Sequence, residues 1–422
     1  MAVKRFPLLL YFGCVYLLVS VPLQAYHLGM LGEAPDWSEL DEYQKSMSRS
    51  EFEEALNTVY LPYGFDDNWI TIYPGYALIR TDGHDPAANY KLHFAPRVQF
   101  EEKSDESVSE SNAEDGPALK GLVIAIDPGH IGGAFSEMER RHFQIGEDPP
   151  VKEGDLTLQV SRKLVRKLED LGARVRLVRS DLQPVTQKQP EDFFDEAEAI
   201  EQRIWLESQS IFLNNTPWVT QWFQNRIKER AEMLFYRVSE IQTRAKIINE
   251  QIKPDLSLSI HFNVSPWPDI TEQVLPAENH MHVLVNGTYT PDELALDDVR
   301  LHLLKKLLSR NHEVEIPLSE SVANALAGIT GLPPFTYGGS NASNQGNSKF
   351  LWARNLLANR LYEGPVVFLE IYCTNSKEAY QRIQMGDYEG LKEVNGSMRP
   401  SLFAEYADGI VQGLVDYYSR GQ

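Results

Sequence analysis

The sequence predicts an α/β fold: an open, mostly parallel twisted sheet with helices on both faces, plus a small N-terminal α+β unit and a helical insertion. Three observations predict it. From Gly121 onward, short continuous apolar runs alternate with amphipathic helical stretches, the rhythm of a parallel sheet covered on both sides. Residues 101–120, "EEKSDESVSESNAEDGPALK", are acidic, serine-rich and almost free of large apolar groups, and so read as a disordered linker between two units. With 422 residues, 42% of them hydrophobic and 24% charged, the chain can build two or three units around a real core.

The first element is "MAVKR" followed by the apolar "FPLLLYFGCVYLLVSVPL" and "LQA", ending at Ala25. That order reads as an export signal over residues 1–25, cut after a small residue. An uncleaved membrane anchor is the competing reading, because the apolar run approaches the ~20 residues of a spanning helix. Cys14 lies inside this segment without a lipobox, so after cleavage only Cys373 remains and no internal disulfide can form. The formal net charge of −20 excludes nucleic acid as a partner and gives no electrostatic attraction to anionic lipid. Membrane association is left only to an uncleaved N-terminal segment.

Residues 26–100 form the small unit. "SRSEFEEAL" reads as a helix capped by Ser48 or Ser50, and "WITIYPGYALIRT" and "KLHFAPRVQF" as strands. No chemical motif occurs there. In the second unit, 121–420, "LVIAID" is a strand buried on both faces. "DLTLQVSRKLVRKLEDLG" is a helix with Leu156, Val160, Leu164, Leu168 and Leu171 on one stripe and Gly172 at its close. "ARVRLVRS", "LSLSIHFNVS", "HMHVLVNG" and "PVVFLEIYC" are further strands, and "RAKIINEQI" is a helix stopped by Pro254. Between them, about 185–230, lies a polar-aromatic stretch containing Trp205, Phe212, Trp218, Trp222 and Phe223. It reads as a helical hairpin packed on the sheet unit; a lid over the site is the alternative.

Four ionisable residues stand at the edges of these elements. His130 sits at the lip of a strand in "DPGHIGG", Glu153 opens a helix, His261 comes near the end of "LSLSIHFN", and Glu370 interrupts "VVFLEIYC". Each alone has an ordinary reading: a turn residue, a first-turn acid favoured by the helix dipole, a satisfied core histidine, a buried ion pair. A carboxylate inside an apolar strand is nevertheless costly unless paired, protonated or metal-bound. Together they supply two imidazoles and a carboxylate, a set suited to catalytic zinc, and a spare carboxylate to act as general base on water.

On these motifs the chain resembles the zinc-dependent N-acetylmuramoyl-L-alanine amidase family with the type 3 catalytic domain, from about Leu122 to Tyr418. "VIAIDPGH", "KEGDLTL", "SIHFN" and "PVVFLE" stand in the family's order. The resemblance implies Zn2+ held by His130, Glu153 and His261, with Glu370 as catalytic acid/base. It implies cleavage of the amide between muramic acid and L-alanine in peptidoglycan, an exported protein of the periplasm or envelope, and an activator or envelope protein as a candidate partner. The sequence leaves the role of residues 26–100 open, with a targeting module that binds wall or envelope partners as one reading. Two departures concern loop shape: Ile131 replaces the glycine after the motif histidine, and "EIYCTN" is one residue shorter than the usual stretch after the catalytic glutamate.

Arg244, Asn263, His280 and His282 are candidate substrate contacts. His280 and His282 share one face of a strand at period two, with a surface or edge position as the ordinary reading. Cys373, three residues after Glu370, is expected on the opposite face as core filler. The alternatives are another zinc peptidase or carboxypeptidase acting on stem peptides, with Arg244 or Arg354 reading a terminal carboxylate, and a non-catalytic wall-binding regulator.

Overall fold

The computed structural model describes residues 27–65, 68–96, 117–207, 217–268 and 274–419. The stretch where an export signal or anchor is expected, most of the acidic stretch 101–120 and Phe212 lie outside the described residues. No helix among the described residues is long and apolar enough to cross a membrane.

In the small unit, Ser48 caps helix α1 (Arg49–Ala55). Its hydroxyl accepts the Glu51 N–H at 3.3 Å, and the Glu51 carboxylate accepts the Ser48 N–H at 2.7 Å, a reciprocal box that fixes the helix start. Strands β1 (Ile70–Ile72), β2 (Tyr76–Arg80) and β3 (Asn89–His93) form an antiparallel sheet beside it. This unit is not an appendage. Phe52, Leu56 and Tyr60 belong to the same apolar core as Val283, Leu304 and Leu318 of the larger unit. The backbones also join, Thr288 N–H donating to Val59 O and Tyr289 N–H to Tyr60 O, each at 2.8 Å.

The large sheet contains β4 (Val123–Pro128), β5 (Arg174–Leu177), β6 (Leu256–Asn263), β7 (Met281–Val285), β8 (Ser343–Asn344), β9 (Leu351–Ala353) and β10 (Val366–Cys373). Their spatial order is β8-β9-β7-β10-β6-β4-β5. Four of the six neighbouring pairs are parallel; β7 meets β10, and β8 meets β9, antiparallel. The four adjacent strands β10-β6-β4-β5 thus form a parallel block, whose carboxyl ends make the crevice where open α/β sheets hold their ligands.

Helix α2 (Glu153–Asp170) buries Leu156, Val160, Leu164 and Leu168, the stripe expected from the sequence. The insertion follows as α3 (Phe194–Glu207) and α4 (Pro217–Met233). The chain continues through a π-helical segment (Leu234–Ser239) into α5 (Glu240–Lys246) and a second one (Ile247–Ile252), ending where Lys253 turns left-handed before Pro254. Then come α6 (Asp297–Leu308), α7 (Asn311–Thr330), the short α8 (Leu357–Leu361) and α9 (Leu402–Ser419). Apolar residues of α2, α7 and α9 join the core on one face of the sheet. Ala245, Ile248, Ala358 and Phe368 pack together on the other.

The hairpin of α3 and α4 is held by its own seam. Phe193, Ala197, Ile227, Ala231 and Phe235 close around Ile131, which is fully buried. Beside them, Arg226 and Arg230 pair with the buried Glu201 at 3.2 and 2.8 Å. The isoleucine that stands where a glycine is expected after His130 is therefore the hairpin's anchor in the loop after β4.

Candidate metal centre

Asp127 and Pro128 end β4 in register with Ser259 and Ile260 of β6, which brings the loop after β4 alongside His261. Close approach dictates the glycines of that loop. A Cβ on Gly129 would lie 2.3 Å from the His261 ring, and one on Gly154 would lie 2.4 Å from the Gly132 nitrogen. The loop consequently rests on the first turn of α2, and His130, left-handed at φ 58, faces Glu153. Two buried arginines clamp it. Arg179 donates to the Gly154 carbonyl at 3.1 Å and to the Pro128 and Gly129 carbonyls at 3.4 Å.

Arg244 is the other clamp, and this corrects its reading as a substrate contact. Its Nε and Nη2 donate to Glu240 at 3.0 and 2.8 Å, Nη1 to Asp127 at 2.9 Å and to the Pro128 carbonyl at 2.7 Å, and Nη2 to the His130 carbonyl at 2.8 Å. All five donors of a guanidinium are used within the protein, so none is left for a ligand.

His130, Glu153 and His261 converge: one ligand atom from each lies within 4.8 Å of the others. His130 Nε2 is 3.3 Å from Glu153 Oε2, and His261 Nδ1 is 3.4 Å from Glu153 Oε1. The Phe262 N–H also donates to Glu153, at 3.1 Å. Burial opposes its charge, yet the two imidazoles hold the Glu153 carboxyl well below the usual carboxylate range. Burial likewise opposes a charge on His130, but Glu153 and Glu139 push it up to about 9. Burial lowers His261. A buried carboxylate between two imidazoles is a centre that draws in positive charge, and two nitrogen donors with one oxygen donor suit zinc. The residues present therefore fit the implied ion.

Glu139, unremarkable among the acids of "SEMERR", proves to support this centre. It accepts the N–H groups of Ile131 at 2.9 Å and Gly132 at 3.0 Å, and lies 3.5 Å from His130 Nδ1. A carboxylate on the outer ring nitrogen fixes the tautomer and orientation of a ligand histidine. No sequence signal marked it, because its role depends on the loop folding back. Arg141 was also unseen; its Nε approaches Glu153 at 3.2 Å and His130 Nε2 at 3.3 Å from the exposed side.

Glu370 stands in register with His261 on one side and His282 on the other, so the three side chains leave the sheet on one face. Burial first, and the Glu153 charge second, push its carboxyl up to about 8. His282 is buried and held at about 3 by that burial, with its Nε2 3.0 Å from the Tyr337 hydroxyl. This replaces the surface or edge placement expected for it. His280 is half-buried on the same face, both rings packing on Phe335. Asn263 ends β6, and its side-chain oxygen accepts the Val264 N–H at 2.7 Å.

Cys373 also needs correction. The register slips between Glu370 and Cys373, and Tyr372 takes a left-handed φ of 63, a bulge that adds a residue to the strand. Tyr372 turns its hydroxyl to Glu405 of α9, while the Cys373 thiol comes 3.3 Å from His280 Nε2, on the face of Glu370. The alternation that argued otherwise holds only for an unbroken strand.

A groove of about 1530 Å³ opens over the centre. One wall is the hairpin rod, another the stretch Arg354 to Leu361, and the N-terminal segment from Gly29 to Asp36 borders it. That segment runs from α6, where Asp298 accepts the Gly29 N–H at 2.7 Å, to α5, where Gln242 donates to Leu31 O at 3.0 Å.

The family model described as N-acetylmuramoyl-L-alanine amidase matches residues 124–389. Among curated proteins nothing matches. Similar solved structures include the apo form of the N-acetylmuramyl-L-alanine amidase Ami1 from Mycobacterium abscessus, at 17% identity over 71% of this chain and 99% of that chain, TM-score 0.39. Ami1 from Mycobacterium smegmatis matches at 15% identity over 72% and 99%, TM-score 0.39. The amidase AmiC2 of Nostoc punctiforme matches at 15% identity over 72% and 99%, TM-score 0.35. The family model, rather than these distant likenesses, carries the assignment.

Proposed function

Since this chain belongs to the N-acetylmuramoyl-L-alanine amidase family, whose members act on peptidoglycan, we propose that it cleaves the amide between the lactyl group of N-acetylmuramic acid and L-alanine, using zinc held by His130, Glu153 and His261. The supporting observation is the convergence of those three ligand atoms within 4.8 Å, with Glu370 on the neighbouring strand facing the same way.

Zinc in such a site supplies Lewis acidity to water and to the scissile carbonyl. The chain's own groups do the rest. Glu139 and the Arg244 and Arg179 clamps keep the His130 loop in place, so the ligands need not reorganise. Glu370 takes a proton from the attacking water as the C–O bond forms. It then returns that proton to the amide nitrogen as the C–N bond breaks, releasing the lactyl carboxylate and the free amine of the peptide. Its lifted affinity for protons suits a group that must both accept and donate; a dication nearby would bring it back down.

Export to the periplasm or envelope, a role in wall remodelling and daughter-cell separation, and an activating envelope partner belong to the same reading. Product analysis on purified muropeptides tests it. Release of the intact peptide with a new L-alanine amine, abolished by chelation and restored by zinc, is the expected result. Release of a single C-terminal amino acid would instead identify a carboxypeptidase, and absence of turnover a wall-binding protein.

A further inference from the structure

Most buried arginines of this chain are matched by carboxylates: Arg244 by Asp127 and Glu240, Arg300 by Asp297, Arg382 by Glu405. In a protein of formal net charge −20 such matching is expected. Arg179 and Arg80, which lie away from the groove, are satisfied by backbone carbonyls instead. Among the half-buried arginines that line the groove, Arg354 and Arg360 break the pattern. Among the described residues no carboxylate lies within ion-pair distance of either.

Arg354 lies over the Tyr337 ring, 5.3 Å from its centroid, and its Nη1 donates to the Tyr337 hydroxyl at 3.4 Å. That hydroxyl is itself tied to the buried His282, the strand partner of Glu370. The guanidinium is thus held beside the catalytic carboxylate, and its charge reaches Glu370. Arg360 donates from Nη1 to Asn355 at 2.8 Å, while its Nε is buried with no partner. Its charge reaches Asp298 and His302, on the α6 side of the groove. The two cations mark a track from Glu370 along α8 toward the N-terminal segment.

An unpaired guanidinium in a partly desolvated wall is costly unless an anion arrives with the ligand, and its planar fork favours carboxylates. We propose that Arg354 and Arg360 are specificity-determining residues that read free carboxylates on the peptide side of the substrate, so that the site takes acidic peptides and discriminates against amidated ones. This rests on the amidase reading for the substrate's identity, but its chemistry can be tested apart from turnover.

The experiment uses the zinc-loaded mature chain and two probes. The first is a muropeptide pair with peptide carboxylates free or amidated. The second is a synthetic acidic tripeptide beginning with L-alanine, also free or amidated, titrated by calorimetry. The expected result is a KM at least tenfold lower, and tripeptide binding at least tenfold tighter, for the free forms. Arg354→Ala and Arg360→Ala should each erase most of that preference, read as the ratio of amidated to free KM and of amidated to free Kd, and Arg354→Lys should restore part of it. Circular dichroism and zinc content of each variant show that the fold is retained. Equal binding of the two tripeptides by the wild-type chain, no binding of either, or a preference that survives both alanine variants overturns the proposal. A wild-type chain that prefers the free tripeptide yet hydrolyses no muropeptide would sink the amidase reading and leave the carboxylate reader standing.

Discussion

The centre turns on which groups carry charge when no dication is present. His130, pushed up to about 9 from an ordinary 6.5 chiefly by Glu153 against its burial, is a histidine with raised affinity for its proton in the fold. Its stabilising contribution is fully present below about pH 6.5 and is lost as pH rises through about 9. Glu370, raised from 4.5 to about 8, binds more protons folded than unfolded between those values, so it too lowers stability as pH rises. Both slopes have the same sign. Metal-free protein should therefore show a Tm that falls between pH 6.5 and 9, and added zinc should raise Tm more at pH 9 than at 6.5, since ligands must shed protons to bind metal. A flat profile measured by differential scanning fluorimetry would contradict this. Two substitutions separate roles: Glu370→Gln should cut kcat by about 10²–10⁴-fold with zinc content unchanged, whereas Glu139→Gln should weaken zinc affinity by about 10–100-fold in a chelator competition. The first was legible as a carboxylate in an apolar strand. The second was not, because a surface-looking acid becomes structural only once Ile131 and Gly132 turn their N–H groups toward it.

Elements set where these residues stand. The four strand and helix edges were readable because apolar runs and the α2 stripe follow simple periods, and polar residues at their ends stand out. What periodicity misses is its interruption. The bulge at Tyr372 puts Cys373 on the face of Glu370, and nothing in "EIYC" announces a left-handed tyrosine. Arg244 looked available because a helix stub shows charge but not its partners; in the fold it spends every donor on the loop. The hairpin was visible as helical, while its dependence on Ile131 was not. Ile131→Ala should cost about 2–5 kcal/mol by removing a fully buried side chain. Hydrogen exchange should then speed up in α3 and α4 before the large sheet; unchanged protection there would argue that the hairpin is held by other means.

At the scale of the whole molecule, the N-terminal unit is a second half of the core rather than a tethered module. Its helix and strands share one apolar cluster with the large sheet, and residues Gly29 to Asp36 border the groove over His130 and His261. Composition alone could not show this, since an amphipathic helix and three short strands look alike whether they dock or stand free. A chain lacking residues 27–96 should unfold or aggregate, and the intact chain should melt in one transition. A stable, active truncated chain would contradict that account and revive a targeting role. On the proposed reading, this scaffolding serves to hold His130, Glu153 and His261 around one cation with Glu370 beside them. Anomalous diffraction at the zinc edge, on crystals of the zinc-loaded protein, tests that directly. A single peak coordinated by His130, Glu153 and His261, with Glu370 near but not bound, is the expected result; no peak at those residues, or one located elsewhere, would contradict it.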